Sequence, residues 1–535
     1  MAEQFISRAE RIIDAILEHD PDTAQWAGDH RFDDRVPDYS ADGVAAQVAM
    51  LREASHTLAE VDGDELATPD AVDLELLTNQ VASRLFALTD LREHEWNPLT
   101  YNPGMRLNSL LLRPTDTAEV RLTALLAQLR ALPDSLATAR RTLRDMPEIH
   151  VQAAVGQFAG TAALVRSQVP VLAAEVPGMS SAASAATDQA VAALREFGEW
   201  LTTQPHDGEP RLGRAKWEAK LWHTLDTPLS ARELLDRAWR RLDEVTTQIA
   251  EAGGELLGEP PSPEVAARAL RTLAEQRPDD DTIVPLARRT MAEATEFVAS
   301  HDLVTLLDDP LEIIEMPEFA RGLAVAYCDP PGSLETAKVP TFYTISPTPA
   351  DWDAARVESF YAEYNDHMLR NLTVHEAMPG HYLQLAHARR YRGYTRVRAV
   401  SFSGTFVEGW GVYAEELMAS HGFGGLPVRM QQLKMQLRMV INALIDQLVH
   451  CEGMTEDEAM ALMTERGFQS EGEAAGKWRR ALLSSTQLST YFVGHTEVAE
   501  IAAACPTGRP DRAWHDAMLA HGNPSPRHLR TLLGV

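Results

Sequence analysis

His375, Glu376 and His381 fall within seven residues of one another in the segment NLTVHEAMPGHYLQLAHAR, residues 371–389. Two imidazoles and a carboxylate in that arrangement are the parts of a zinc hydrolase. Neutral imidazole is a good zinc ligand, and a glutamate beside it can take a proton from a water that the ion activates. The spacing departs from the usual HExxH helix, in which the two histidines sit at i and i+4 on one face. Six residues apart, His375 and His381 would lie about 120° apart around a regular helix, too far to share an ion. Pro379 and Gly380 stand between them. Proline lacks the N–H that would bond to the carbonyl of His375 and its ring clashes there, while glycine makes the backbone permissive. The chain is therefore expected to bulge or reshape at this point and bring His381 back beside His375.

A third ligand should come from another helix downstream. The stretch FVEGWGVYAEEL, residues 406–417, supplies Glu408 in that role. Its pattern is helical despite Gly409 and Gly411, each of which costs about 1 kcal/mol relative to alanine, so their presence implies backbone packed closely against a neighbour. Glu415, seven residues beyond Glu408, lies near the same face. It can orient a ligating histidine by accepting its second N–H, and it equally suits a solvated helix-surface charge.

The elements that must hold these groups are helices. Apolar residues recur at three- and four-residue spacing through most of the chain, as in Leu122, Leu125, Leu126, Leu129 and Leu132, or Leu433, Met435, Leu437, Val440, Ile441 and Leu444. Ser230 with Glu233 and Thr455 with Glu458 read as capping boxes, and Ser262 before Pro263 as an N-cap. The rhythm fails at Leu311 to Phe319 and at Cys328 to Pro347, where Val339 to Ile345 reads as a short extended segment. Smaller breaks fall at Gly208 to Gly213, Gly253 to Pro263 and Pro278 to Asp281. The expectation is an all-α chain with a short β element near the site. Residues 1–310 would form a helical scaffold half and 311–535 the half that holds the metal, the whole 1–535 being one large unit.

The chain carries 49 Lys and Arg against 78 Asp and Glu, a formal charge of −29, so a phosphate-binding surface is not expected and nucleic acid is excluded as a partner. Cys328, Cys451 and Cys505 are odd in number and far apart, which suits neither a disulfide framework nor a thiolate zinc site. The N-terminal apolar residues Phe5, Ile6, Ala9, Ile12, Ile13, Ile16 and Leu17 form a helical stripe rather than the continuous run of an export signal, and no apolar stretch of about 18 residues is available to span a bilayer. A cytoplasmic protein with no membrane partner is expected.

HEAMPGHYLQ followed by FVEGWGVYAE resembles the HExxPGHxxQ and EGWxxYxE pair of a bacterial domain-of-unknown-function family related to zinc metallopeptidases. The segments YCDPPG (327–332), TFYTISP (341–347), QLSTYFVGHTEV (487–498), WHDAMLAHGNPSP (514–526) and the N-terminal DPDTAQWAGDHRFDD resemble the family's other landmarks in the same order, so the likeness covers nearly the whole chain. It implies a two-lobed zincin-like helical fold with a deep central cleft, similar to Taq-type carboxypeptidases, oligopeptidases and angiotensin-converting enzymes. One zinc ion per chain would be held by His375, His381 and Glu408, with Glu376 as general base. A strand such as Val339 to Ile345 would hold the substrate backbone by β-addition. Tyr491 and His495, four apart on one helical face, are the resemblance's candidates for stabilising the oxyanion, although tyrosine on such a helix also suits the core. Tyr343 and Tyr413 are weaker candidates. Arg479 and Arg480 precede Tyr491, but nothing selects them over other basic residues for a substrate carboxylate.

The reading is a zinc-dependent metallopeptidase acting on short peptides, carboxypeptidase- or oligopeptidase-like. A zinc hydrolase of non-peptide amides would use the same residues. A helical peptide-binding protein without turnover would keep the ligands but not depend on Glu376, and a structural protein would carry its histidines satisfied in the core.

Overall fold

The computed structural model describes residues 2–316, 321 and 324–535. It is mainly all-α, with one three-stranded sheet, as the helical rhythm requires. Of the Leu311 to Phe319 break, residues 317–319 lie outside the described residues. The chain forms two compact units, whose boundaries do not coincide with a division at residue 310.

The first unit comprises Met1–Pro210 with two later segments, Pro331–Val339 and Gly393–Ser401. Its largest core joins the helices Ala118–Thr142, Glu148–Ala174 and Ser180–Thr202, and the leucine stripe read from the sequence is buried there against Phe158 and Phe197. The N-terminal helix Ala2–His19 buries Phe5, Ala9, Ile12, Ile13, Ile16 and Leu17. The two late segments are tied in by polar contacts that periodicity does not report. Leu334 N–H donates to the carbonyl of Ala27 (2.7 Å), His30 Nε2 lies 2.8 Å from Glu335, and Arg398 Nε donates to Asp73 at 2.7 Å with both side chains almost fully buried.

The second unit comprises Arg211–Pro330, Pro340–Arg392 and Phe402–Val535. Both predicted capping boxes are present, and Ser262 caps its helix by accepting from Val265. The break expected over Gly253 to Pro263 starts later than Gly253: the helix Ala231–Leu257 runs through Gly253, against which Ala266 of the next helix packs, and ends at Gly258 before Pro263–Leu273 begins. The long helix Gly425–Glu452 is buried around most of its circumference, including Leu433, Leu437, Val440, Ile441 and Leu444, so it acts as the axis of this unit's packing. No helix among the described residues is long and apolar enough to cross a membrane.

The sheet has the order β1-β3-β2, from β1 (Leu311–Glu315), β2 (Ala326–Asp329) and β3 (Thr341–Ile345). β3 pairs in parallel with β1 and antiparallel with β2, and every residue of it is buried. This corrects the expectation that Val339 to Ile345 receives a substrate strand. Both edges of β3 are already paired, and it is the backbone of β2 that meets Glu376.

Candidate metal centre

The reshaping expected at Pro379-Gly380 takes the form of two separate helices. The first, Asp366–Glu376, ends at Ala377, and the second, His381–Ala388, begins after Gly380. The Met378–Pro379 peptide is cis, and Gly380 turns where a Cβ would strike the carbonyls of His375 and Val374. The indole of Trp410, fully buried, donates to the carbonyl of Pro379 at 2.9 Å and so ties the turn to the helix Gly404–Ser420. The outcome is that the two imidazoles stand edge to face with centroids 4.6 Å apart.

Glu408 completes the group. Its Oε2 lies 3.4 Å from His375 Nε2 and 3.6 Å from His381 Nε2, and one ligand atom from each residue falls within 4.8 Å of the others. That oxygen is buried and has no hydrogen-bond partner among the described residues. Zinc–ligand bonds of about 2.0–2.1 Å in a tetrahedron place ligand atoms about 3.3 Å apart, so the three side chains are spaced to share one ion rather than to bond to one another. Two imidazoles with one carboxylate are also the donor set of a catalytic zinc site, which leaves a fourth position open. The residues fit the metal.

The groups behind these side chains orient them. His375 Nδ1 lies 2.7 Å from Glu415 Oε1, and the other oxygen of Glu415 accepts from Asn371 Nδ2 at 2.5 Å. Glu415 is 2% exposed, so it is not the solvated charge that its spacing also allowed. An ionised carboxylate only accepts, so a proton sits on Nδ1, and with a metal bound Nε2 would present its lone pair to the ion. Burial alone would lower the pKa of His375 and raise that of Glu408. The flanking carboxylates instead hold the imidazole well above its ordinary value, and the two histidines hold Glu408 far below its own. The pocket is thus built around positive charge.

Gly411 explains why the helix of Glu408 tolerates glycine. A Cβ there would lie 2.8 Å from Cε1 of His375, so the imidazole rests directly on the helix backbone. Gly409 faces Gly494 of the helix Thr490–Ala503, where a Cβ would fall 2.4 Å from backbone. This close crossing puts Tyr491 near the ligands. The charge of Glu408, followed by burial, pushes the Tyr491 hydroxyl up to about 12, with Arg480 acting in the opposite direction.

Glu376 follows His375 directly, and its Oε2 accepts from the backbone N–H of Cys328 in β2 at 3.0 Å. The other candidates are engaged elsewhere. His495 Nε2 lies 2.8 Å from Glu416, whose carboxyl that contact pulls down to about 2, so the ring nitrogen is directed at that carboxylate. Tyr413 donates to His515 Nε2, Tyr343 is fully buried beside Thr373, and Arg480 donates to Gln487. The sequence reading missed Asn371, Trp410 and the Cys328 N–H. Asn371 had a signal, since it precedes His375 by one helical turn.

The family model described as "Bacterial protein of unknown function (DUF885)" matches residues 21–533, so the chain belongs to that family. A solved chain from Shewanella oneidensis, described as "a putative lipoprotein of unknown function", is 26% identical with a TM-score of 0.81 over 99% of this chain and all of its own. Another, described as "the putative lipoprotein from Colwellia psychrerythraea", is 14% identical with a TM-score of 0.80 over all of this chain and 98% of its own, a likeness of fold alone. No curated protein matches the chain.

Proposed function

We propose that this DUF885-family chain is a zinc-dependent peptidase with a zincin-like catalytic centre that hydrolyses short peptides. The observation that carries the reading is the convergence of Glu408 Oε2, buried and without a hydrogen-bond partner among the described residues, on Nε2 of His375 and Nε2 of His381 at 3.4 and 3.6 Å. His375, His381 and Glu408 would hold the ion. Bound zinc supplies Lewis acidity, which brings the pKa of water down to about 7 and polarises a carbonyl.

The protein's own groups do the rest. Glu376 has one oxygen fixed by the Cys328 N–H, which leaves the other to take a proton as water oxygen bonds to the scissile carbonyl carbon. The same carboxyl then returns the proton to the amine nitrogen as the C–N bond breaks. Tyr491 donates its hydroxyl hydrogen to the carbonyl oxygen as charge builds on it.

The test is hydrolysis of a short-peptide library by wild type and by Glu376→Gln, with zinc measured in both. The reading expects about one zinc per chain in each and turnover only in wild type. Equal turnover by the two proteins would overturn it.

A further inference from the structure

Three buried polar atoms behind the second histidine have no partner among the described residues: Nδ1 of His381 and both amide atoms of Gln384. Gln384 is 0% exposed and His381 7%. A side-chain amide buried without a hydrogen bond carries an uncompensated desolvation cost, and leucine or methionine would fill the same space without it. A glutamine in this place calls for a partner.

The helix supplies one. Gln384 follows His381 by three residues in His381–Ala388, and helical side chains lean toward the N-terminus, so the amide covers the turn that carries the imidazole. The two groups are chemically complementary. With Nε2 directed at Glu408, the neutral ring carries its proton on Nδ1 and needs an acceptor, which the Oε1 of Gln384 provides.

We infer that Gln384 is the positioning residue of His381, accepting its Nδ1–H as Glu415 accepts that of His375. The inference rests on the zinc reading for its consequence but not for its geometry.

The test compares wild type with Gln384→Met, which keeps volume but has no acceptor, and with Gln384→Glu, which restores one. Zinc affinity is read by competition with a chelator, folding by the thermal transition of the metal-free proteins, and the bond itself by the Nδ1–H resonance of His381 in metal-free, 15N-histidine-labelled protein. The expected results are a slowly exchanging Nδ1–H in wild type that is lost in Gln384→Met, zinc affinity about 10- to 100-fold weaker in Gln384→Met at an undiminished transition temperature, and affinity recovered in Gln384→Glu. Zinc affinity within twofold of wild type in a folded Gln384→Met, or no protected Nδ1–H in wild type, would overturn the inference. Wild type that shows the protected proton but binds no zinc would instead strike the zinc reading and leave Gln384 as the partner of His381.

Discussion

The Nδ1 of His375 and the Oε1 of Glu415, forty residues apart in sequence, meet at 2.7 Å inside the second unit. Glu415 thereby sets which nitrogen of the ring faces Glu408. Removing it leaves the imidazole free to turn and its proton free to move to Nε2. Glu415→Ala is expected to weaken zinc binding about 10- to 100-fold in chelator competition. An affinity equal to wild type would mean that the contact does not orient a ligand.

Gly411 gives a second handle on the same ring. Glycine to alanine inside a helix ordinarily stabilises by about 0.5–1 kcal/mol. Here the new Cβ would meet the imidazole of His375 at 2.8 Å, and overpacking costs about 1–3 kcal/mol. The expected outcome of Gly411→Ala is a lower thermal transition and less than one zinc per chain. A raised transition with full zinc would show that the ring moves aside freely.

Tyr491→Phe removes a hydroxyl without removing a ligand. Loss of one oxyanion donor commonly costs about 10²–10³ in turnover. The variant is expected to keep its zinc and lose kcat by that order with a smaller change in KM. Unchanged kcat would return Tyr491 to the core role that its helical position also allows.

His30 lies between Asp33 and Glu335 in the first unit, and its contact with Asp33, opposed by burial and helped by Glu335, raises its pKa from 6.5 to about 9. A pKa raised by folding means that the folded state prefers the imidazolium. The stabilisation is therefore complete below about pH 6.5 and disappears as the pH rises through about 9. With a third of the side chain open to solvent, it amounts to about 1–2 kcal/mol. Chemical denaturation of wild type and His30→Gln should give curves that differ at pH 6 and converge above pH 9. A difference that grows with pH would reverse the sign of this account.

The cluster of His375, His381 and Glu408 is legible in the sequence because metal chemistry restricts residue types and because Pro379 forbids a continuous helix. Glycine at 409 and 411 announces close packing, although not that Gly409 meets Gly494 and Gly411 meets an imidazole. What stays hidden depends on distant partners. The sequence cannot reveal that Trp410 holds the carbonyl of Pro379, that Glu416 occupies His495, or that Arg398 is buried with Asp73. The extended character of Thr341–Ile345 is local and readable. Its central place between β1 and β2 is set by pairing across the chain.

Zinc content by elemental analysis of dialysed wild type, His375→Ala, His381→Ala and Glu408→Ala tests the shared-ion geometry most directly. The account predicts about one zinc per chain in wild type and loss of it in each folded variant. Zinc absent from wild type, or retained undiminished when these side chains are removed, would contradict it.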